Sequence, residues 1–177
     1  MKKLIFAPFI MLVMIGACKK EIASTNADTP RTTVPASLQG SWMYGQFSMT
    51  EYWSQDPEEY LGNGFEMSIA FKFNADGSFE QYFTSSYVSG TVVTYMQSVT
   101  KGTVEIDEAT KTITTHATSA HFRQTANGQI VEERDLRQSE LTAEIVYSYD
   151  FGTENGQDAL YLLMEGTEDS IPLIKKF

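Results

Sequence analysis

From residue 65 to residue 73 the chain alternates apolar and polar positions. Phe65, Met67, Ile69, Phe71 and Phe73 take every second place, with Glu66, Ser68 and Lys72 between them. A repeat of two is the period of a strand with one buried face, because successive side chains on a strand point to opposite sides. Asn74-Ala75-Asp76-Gly77 follows as a turn, and Phe79 and Phe83 lie on the strand beyond it. A three-residue loop with Gly77 in the left-handed region pairs Asn74 with Ser78. That register sets Phe73 against Phe79, Lys72 against Glu80 and Ile69 against Phe83. A slip by one residue would set Phe71 against Glu80, so the pattern selects the register.

Strand patterns continue to the end of the chain. Residues 87–100 are rich in Val, Thr and Tyr, with Ser89-Gly90 as punctuation. Val104 and Ile106 lead to a turn at 107–110, and residues 111–124 extend again. Asn127-Gly128 suits a two-residue type I′ hairpin loop. It pairs Ala126 with Gln129, Arg123 with Glu132, Phe122 with Glu133 and His121 with Arg134. Leu141, Ala143, Ile145, Tyr147 and Tyr149 then alternate, 152–158 is a turn, 159–164 an apolar strand and 171–177 a short last one. The count is about eight to ten strands without a convincing helix. It fits an all-β, antiparallel up-and-down barrel, with a β-sandwich as the alternative.

The first residues follow a different rule. Lys2 and Lys3 precede an apolar run from residue 4 to residue 15, too short for a permanent bilayer span. The run ends at Ile15-Gly16-Ala17-Cys18, which resembles a bacterial lipobox. The resemblance implies lipid on the Cys18 thiol, cleavage before it, and residues 1–17 as a lipoprotein signal peptide. Lys19 after the cysteine, in place of Asp, implies the outer membrane of a Gram-negative envelope, on its periplasmic side or at the cell surface. The Cys-Lys-Lys-Glu start is similar to the charged surface signals of some Bacteroidetes lipoproteins. Residues 18–35 are polar, rich in Thr and Ala, and carry two prolines, which reads as a disordered tether. Residues 36–177 form the domain, long enough to bury its own core and, with Cys18 the chain's single cysteine, free of disulfides.

Gly40-Ser41-Trp42 opens the first strand of that domain. Phe-x-Phe-x-x-Asp-Gly-x-Phe at residues 71–79 and Lys101-Gly102-Thr103-Val104-Glu105-Ile106 follow. This order resembles the lipocalin-like domains of Bacteroidetes lipoproteins. The resemblance implies a lipocalin-like β-barrel with Trp42 closing one end, and it brings no catalytic residues.

The formal net charge of −10 excludes nucleic acid as a partner. The chain has no Gly-x-Ser-x-Gly, no His-Glu-x-x-His, no phosphate loop and no dinucleotide fingerprint. The single cysteine is committed to lipid, so neither enzyme activity nor a cofactor is expected. His116 and His121 stand five apart, which on a regular strand points them to opposite faces; a shared zinc site would need a bulge between them. Glu80 has Lys72 opposite, and Glu132 has Arg123.

The connection at residues 52–64 is long and holds Tyr52, Trp53 and Tyr60 beside Asp56, Glu58 and Glu59. The spacing of the acids matches no dedicated calcium loop. Two readings of the aromatics stand. The connection is a lid over the barrel mouth, with Trp53, then Tyr60 and Tyr52, touching a small apolar or amphipathic ligand. Alternatively it is a short helix, begun near Asp56-Pro57, that packs the aromatics on the barrel. Met67, Met96 and Met164 fit either a forgiving pocket or gaps in a core. Two functions follow: a lipid-anchored binding module, or an interaction module that meets another envelope protein. An interior cavity beyond a few hundred Å³ separates them in favour of the binder. Replacing Cys18→Ser is expected to remove the protein from the detergent-extracted membrane fraction and to leave the signal peptide uncleaved, read by fractionation and intact mass.

Overall fold

The computed structural model describes residues 29–54, 65–142 and 144–176. Nine antiparallel strands form one sheet: β1 (Gly40–Tyr44), β2 (Phe65–Phe73), β3 (Ser78–Ser89), β4 (Val92–Asp107), β5 (Thr112–Ala126), β6 (Gln129–Asp135), β7 (Glu144–Glu154), β8 (Gln157–Met164) and β9 (Ile171–Lys175). Each strand pairs with the next in sequence except around β6, and β9 returns to β1 through Trp42–Lys175 and Met43–Ile174. Eight strands therefore close a barrel-like ring. One edge of β5 serves two partners in succession: residues 112–116 pair with β7 and residues 121–126 with β6.

The hairpin at 65–83 has the register expected from its pattern. Phe73 faces Phe79, Lys72 faces Glu80 and Ile69 faces Phe83. The Asn74 amide donates to the Ser78 carbonyl, and Gly77 has φ +83°. Phe71, Phe73 and Phe79 are buried, and Phe83 packs against them half-buried. With Ile69, Val104, Ile113, Tyr147, Tyr149, Leu160, Leu162 and Leu173 they make one continuous core inside the ring. Fully burying such a side chain contributes about 1.5–3 kcal/mol. Met67 belongs to the same alternation but is exposed, as is Met164.

One end of the ring is closed by the chain that enters it. The amides of Thr32 and Val34 donate to the carbonyls of Val104 and Ala75, and the Thr103 hydroxyl donates to Pro30. Val34 and Leu38 are completely buried in the core. Trp42 is buried beside them and donates its indole N–H to the Leu38 carbonyl over 2.8 Å. The tether expected up to residue 35 thus gives way to fixed structure at Pro30–Val34. A polar run with one valine carries no periodicity, and the hydrogen bonds that hold it lie on strands distant in sequence.

Two bulges correct the register farther on. The Asn127-Gly128 turn has both residues at positive φ and pairs Ala126 with Gln129, as its sequence requires. Past Thr125–Ile130, however, Val131 is an extra residue. Arg123 then faces Glu133, not Glu132, and His121 faces Asp135, not Arg134. Ile130 and Val131 are both 56% exposed, so no buried face penalises the slip. The second bulge adds Thr118 to β5, between Ala117, opposite Gly102, and Ser119, opposite Lys101. It reverses the expectation for the histidines. His116 stands opposite Thr103 and His121 opposite Val99, both odd positions of β4, so the two lie on the same outer face.

Phe71→Ala is expected to destabilise the domain by about 3–5 kcal/mol in urea unfolding, because the ring around it is closed and cannot collapse into the void.

Candidate functional site

Alternation along five strands turns a set of side chains toward one interior space near the open end of the ring. Ile69 and Phe71 come from β2, Gln81 and Phe83 from β3, Ile145 and Tyr147 from β7, Leu162 and Met164 from β8, Ile171 and Leu173 from β9. Between the β2–β3 wall and the β7–β8–β9 wall they leave a cleft of about 460 Å³. The turn after β8 forms its rim, with Thr167, Glu168 and Asp169. That turn is shaped by Thr167, whose amide and hydroxyl both donate to the Met164 carbonyl. A second cavity of about 180 Å³ lies alongside, with Gln81 and Ile145 lining both.

Two polar groups stand in this apolar lining. Tyr147 is 6% exposed, its ring edge-on to Phe71 at 5.7 Å, and its hydroxyl has no hydrogen-bond partner among the described residues. Burial alone pushes that phenol up to about 12. The Gln81 side-chain amide is likewise without a partner among the described residues. Tyr147 lines the cleft, so a bound molecule carrying a hydrogen-bonding group there could pair with its hydroxyl. The described lining holds no cysteine, histidine, lysine or arginine.

Two of the aromatics singled out in the sequence, Tyr52 and Trp53, occupy the opposite side of the wall. After β1 the chain turns at Gly45, at φ +79°, where a Cβ would lie 2.1 Å from the Ser68 hydroxyl oxygen. Residues 46–54 then run across the outer face. Phe47 and Tyr52 pack on Met43, Ala70 and Val99, with Met49, Trp53 and Tyr82 at the margin. Tyr52 begins a short 3₁₀ turn ending at Ser54 and is buried. Its hydroxyl shares its proton between the Phe83 and Ser98 carbonyls and accepts from the Ser98 amide at 3.0 Å. Burial is the first cause that drives this phenol far above the ordinary tyrosine range. Trp53 is half-buried, edge-on to His121 at 4.9 Å, with the Arg123 guanidinium 5.2 Å from its ring centre. Arg123 also donates to the Trp53 carbonyl over 2.6 Å. Neither Tyr52 nor Trp53 lines the cleft; the placement is that of aromatics packed on the barrel by a short helical turn. Tyr60, Asp56, Glu58, Glu59 and Cys18 lie outside the described residues.

The outer charges pair among themselves. His121 meets Asp135 at 2.8 Å, Arg123 meets Glu133 at 2.6 Å, and His116 meets Glu105 at 2.8 Å. Lys101, not Lys72, is the ammonium bonded to Glu80. Arg134 grips Glu140 through two bonds of 2.9 Å, and those bonds pull the Glu140 carboxyl down to about 2. Although the Thr118 bulge brings both histidines to one face, the described residues contain no group of three or more His, Cys, Asp or Glu placed for a metal.

The cleft residues were only partly visible in advance. Tyr147 fell on the inward positions of its strand pattern, while Gln81 looked like one polar residue among many. Glu168 and Asp169 lie in a turn without periodicity. The chain matches no protein-family model, no curated protein and no solved structure.

Two tyrosine-to-phenylalanine changes separate packing from the cleft. Tyr52→Phe is expected to lower stability by about 1–3 kcal/mol, because backbone groups of Phe83 and Ser98 lose a buried partner. Tyr147→Phe is expected to change it by less than about 1 kcal/mol, because no protein group loses a bond. Urea unfolding of both variants checks the contrast.

Proposed function

We propose that this is a lipid-anchored envelope protein whose barrel-like domain holds one small apolar or amphipathic molecule in the cleft between β2–β3 and β7–β9. The observation that carries the reading is the cleft itself. Its volume of about 460 Å³ falls within the range of about 300–1,000 Å³ usual for small-molecule sites. Its walls are mostly apolar, and its two polar groups, Tyr147 and Gln81, are unsatisfied by the protein. The anchor rests on the lipobox at Cys18, and the charged residues after it favour the outer membrane, facing the periplasm or the cell exterior. The likeness to lipocalin-like domains agrees with an interior site, here at the end opposite the one that Trp42, Val34 and Leu38 close.

A second reading, an interaction module, has one observation in its favour. The β3–β4 and β5–β6 turns lie side by side, joined by the Asn127 amide on the Val93 carbonyl and the Val93 amide on the Asn127 side chain. They present Val88, Val92, Ile130 and Val131 to solvent.

Titration with the neutral fluorescent probe N-phenyl-1-naphthylamine distinguishes the two. Saturable binding to the wild type, weakened at least ten-fold by Phe83→Trp with an unchanged unfolding midpoint, is the result expected of a ligand in the cleft. Absence of binding, or binding unaltered by Phe83→Trp, would leave the interaction module as the better reading.

A further inference from the structure

The reading of the cleft as a ligand site leaves the chemistry of the ligand open, and the charges at the rim narrow it. Glu168 and Asp169 line the entrance, both exposed and free of any ion pair in the described structure. Glu165 precedes them in the same turn. The described lining offers no lysine, arginine or histidine against which an anion could be neutralised. Deeper in, the described lining offers the hydroxyl of Tyr147, a residue 6% exposed, and the Gln81 amide, both uncharged. A carboxylate drawn into this space would give up water, meet like charge at the rim and find no cation inside. An ammonium at the rim would meet opposite charge. A hydroxyl or amide farther in could pair with Tyr147 or Gln81.

We propose, resting on that reading, that the cleft takes cationic or neutral amphiphiles with the chain inside and the polar group toward Tyr147, Gln81 or the acidic rim, and that it rejects fatty acids and other anionic amphiphiles. Two independent observations carry this: the acidic entrance without a basic counterpart in the described lining, and the Tyr147 side chain, a residue only 6% exposed, which lines the cleft with its hydroxyl unpartnered among the described residues. Selection is set as much by repulsion of the wrong head group as by attraction of the right one.

Competition against bound N-phenyl-1-naphthylamine tests it, using dodecylamine, dodecanol and dodecanoate at one chain length and below their aggregation concentrations. Dodecylamine and dodecanol are expected to displace the probe at least ten-fold more effectively than dodecanoate at low salt. The amine's advantage over the alcohol should shrink as salt is raised, because exposed charges are screened. The double variant Glu168→Gln, Asp169→Asn is expected to raise dodecanoate toward the other two, each measured relative to that variant's own probe affinity. Tyr147→Phe is expected to weaken dodecanol without loss of folding. Equal displacement by dodecanoate and dodecylamine, or a preference untouched by the double variant, would overturn the selectivity while leaving the cleft as a site. Failure of the probe to bind at all would instead count against the binding function on which the selectivity rests.

Discussion

Everything in this domain depends on closing the sheet. Once β9 pairs with β1, the ring has a definite inside, and each strand must send alternate residues into it. The inside then has to be filled from the sequence available, and the cross-strand pair Phe73 and Phe79 contributes to that at the closed end. They fill it well because the entering chain adds Val34 and Leu38 as a plug and Trp42 as a lid, tied down by its own indole hydrogen bond. At the other end no such plug is present among the described residues. The same inward alternation continues there with Ile69, Phe83, Ile145 and Leu162, and the walls stand apart.

The wall is used on both faces. Outside β1–β4, a second apolar cluster forms where residues 46–54 fold back over Ala70 and Val99. Tyr52 joins this layer to the sheet by reaching the backbone of the Phe83–Ser98 rung. Trp53 extends it onto β5 through His121 and Arg123. Phe83 therefore connects the two sides: its carbonyl meets Tyr52 outside, while its ring lines the cleft inside. A change in how residues 46–54 pack would be felt by the cleft through that strand.

Charge is arranged by the same geometry. On the outer face each described histidine finds a carboxylate one strand away, as Arg123 and Lys101 do, and such exposed pairs contribute little stability individually. In the described cleft lining below the rim no charged side chain appears, and its polar groups are the Tyr147 phenol and the Gln81 amide. Glu168 and Asp169, which make no ion pair among the described residues, stand at the entrance, where they act on whatever approaches.

The sequence by itself determined the all-β class, the antiparallel meander, the register of the 65–83 hairpin and the turns at Gly77 and Asn127-Gly128. These follow from local rules: a repeat of two, residues that tolerate positive φ, and the penalty for turning phenylalanine to solvent. It also put Tyr147 on one side of its strand with Leu141, Ala143, Ile145 and Tyr149. It could not show the bulges at Thr118 and Val131, because bulges change pairing without changing composition, and in the exposed β5–β6 hairpin no buried face enforced the simple register. It could not show that residues 30–35 belong to the domain, since their partners lie on strands more than forty residues away in sequence. Above all, an aromatic-rich connection reads the same whether it covers a mouth or the outside of a wall. Only the closed ring decided that Tyr52 and Trp53 pack outside. Only the ring, too, brought Gln81, Tyr147 and Glu168 from three separate stretches to one cleft, because a site built between walls exists only once the walls face each other.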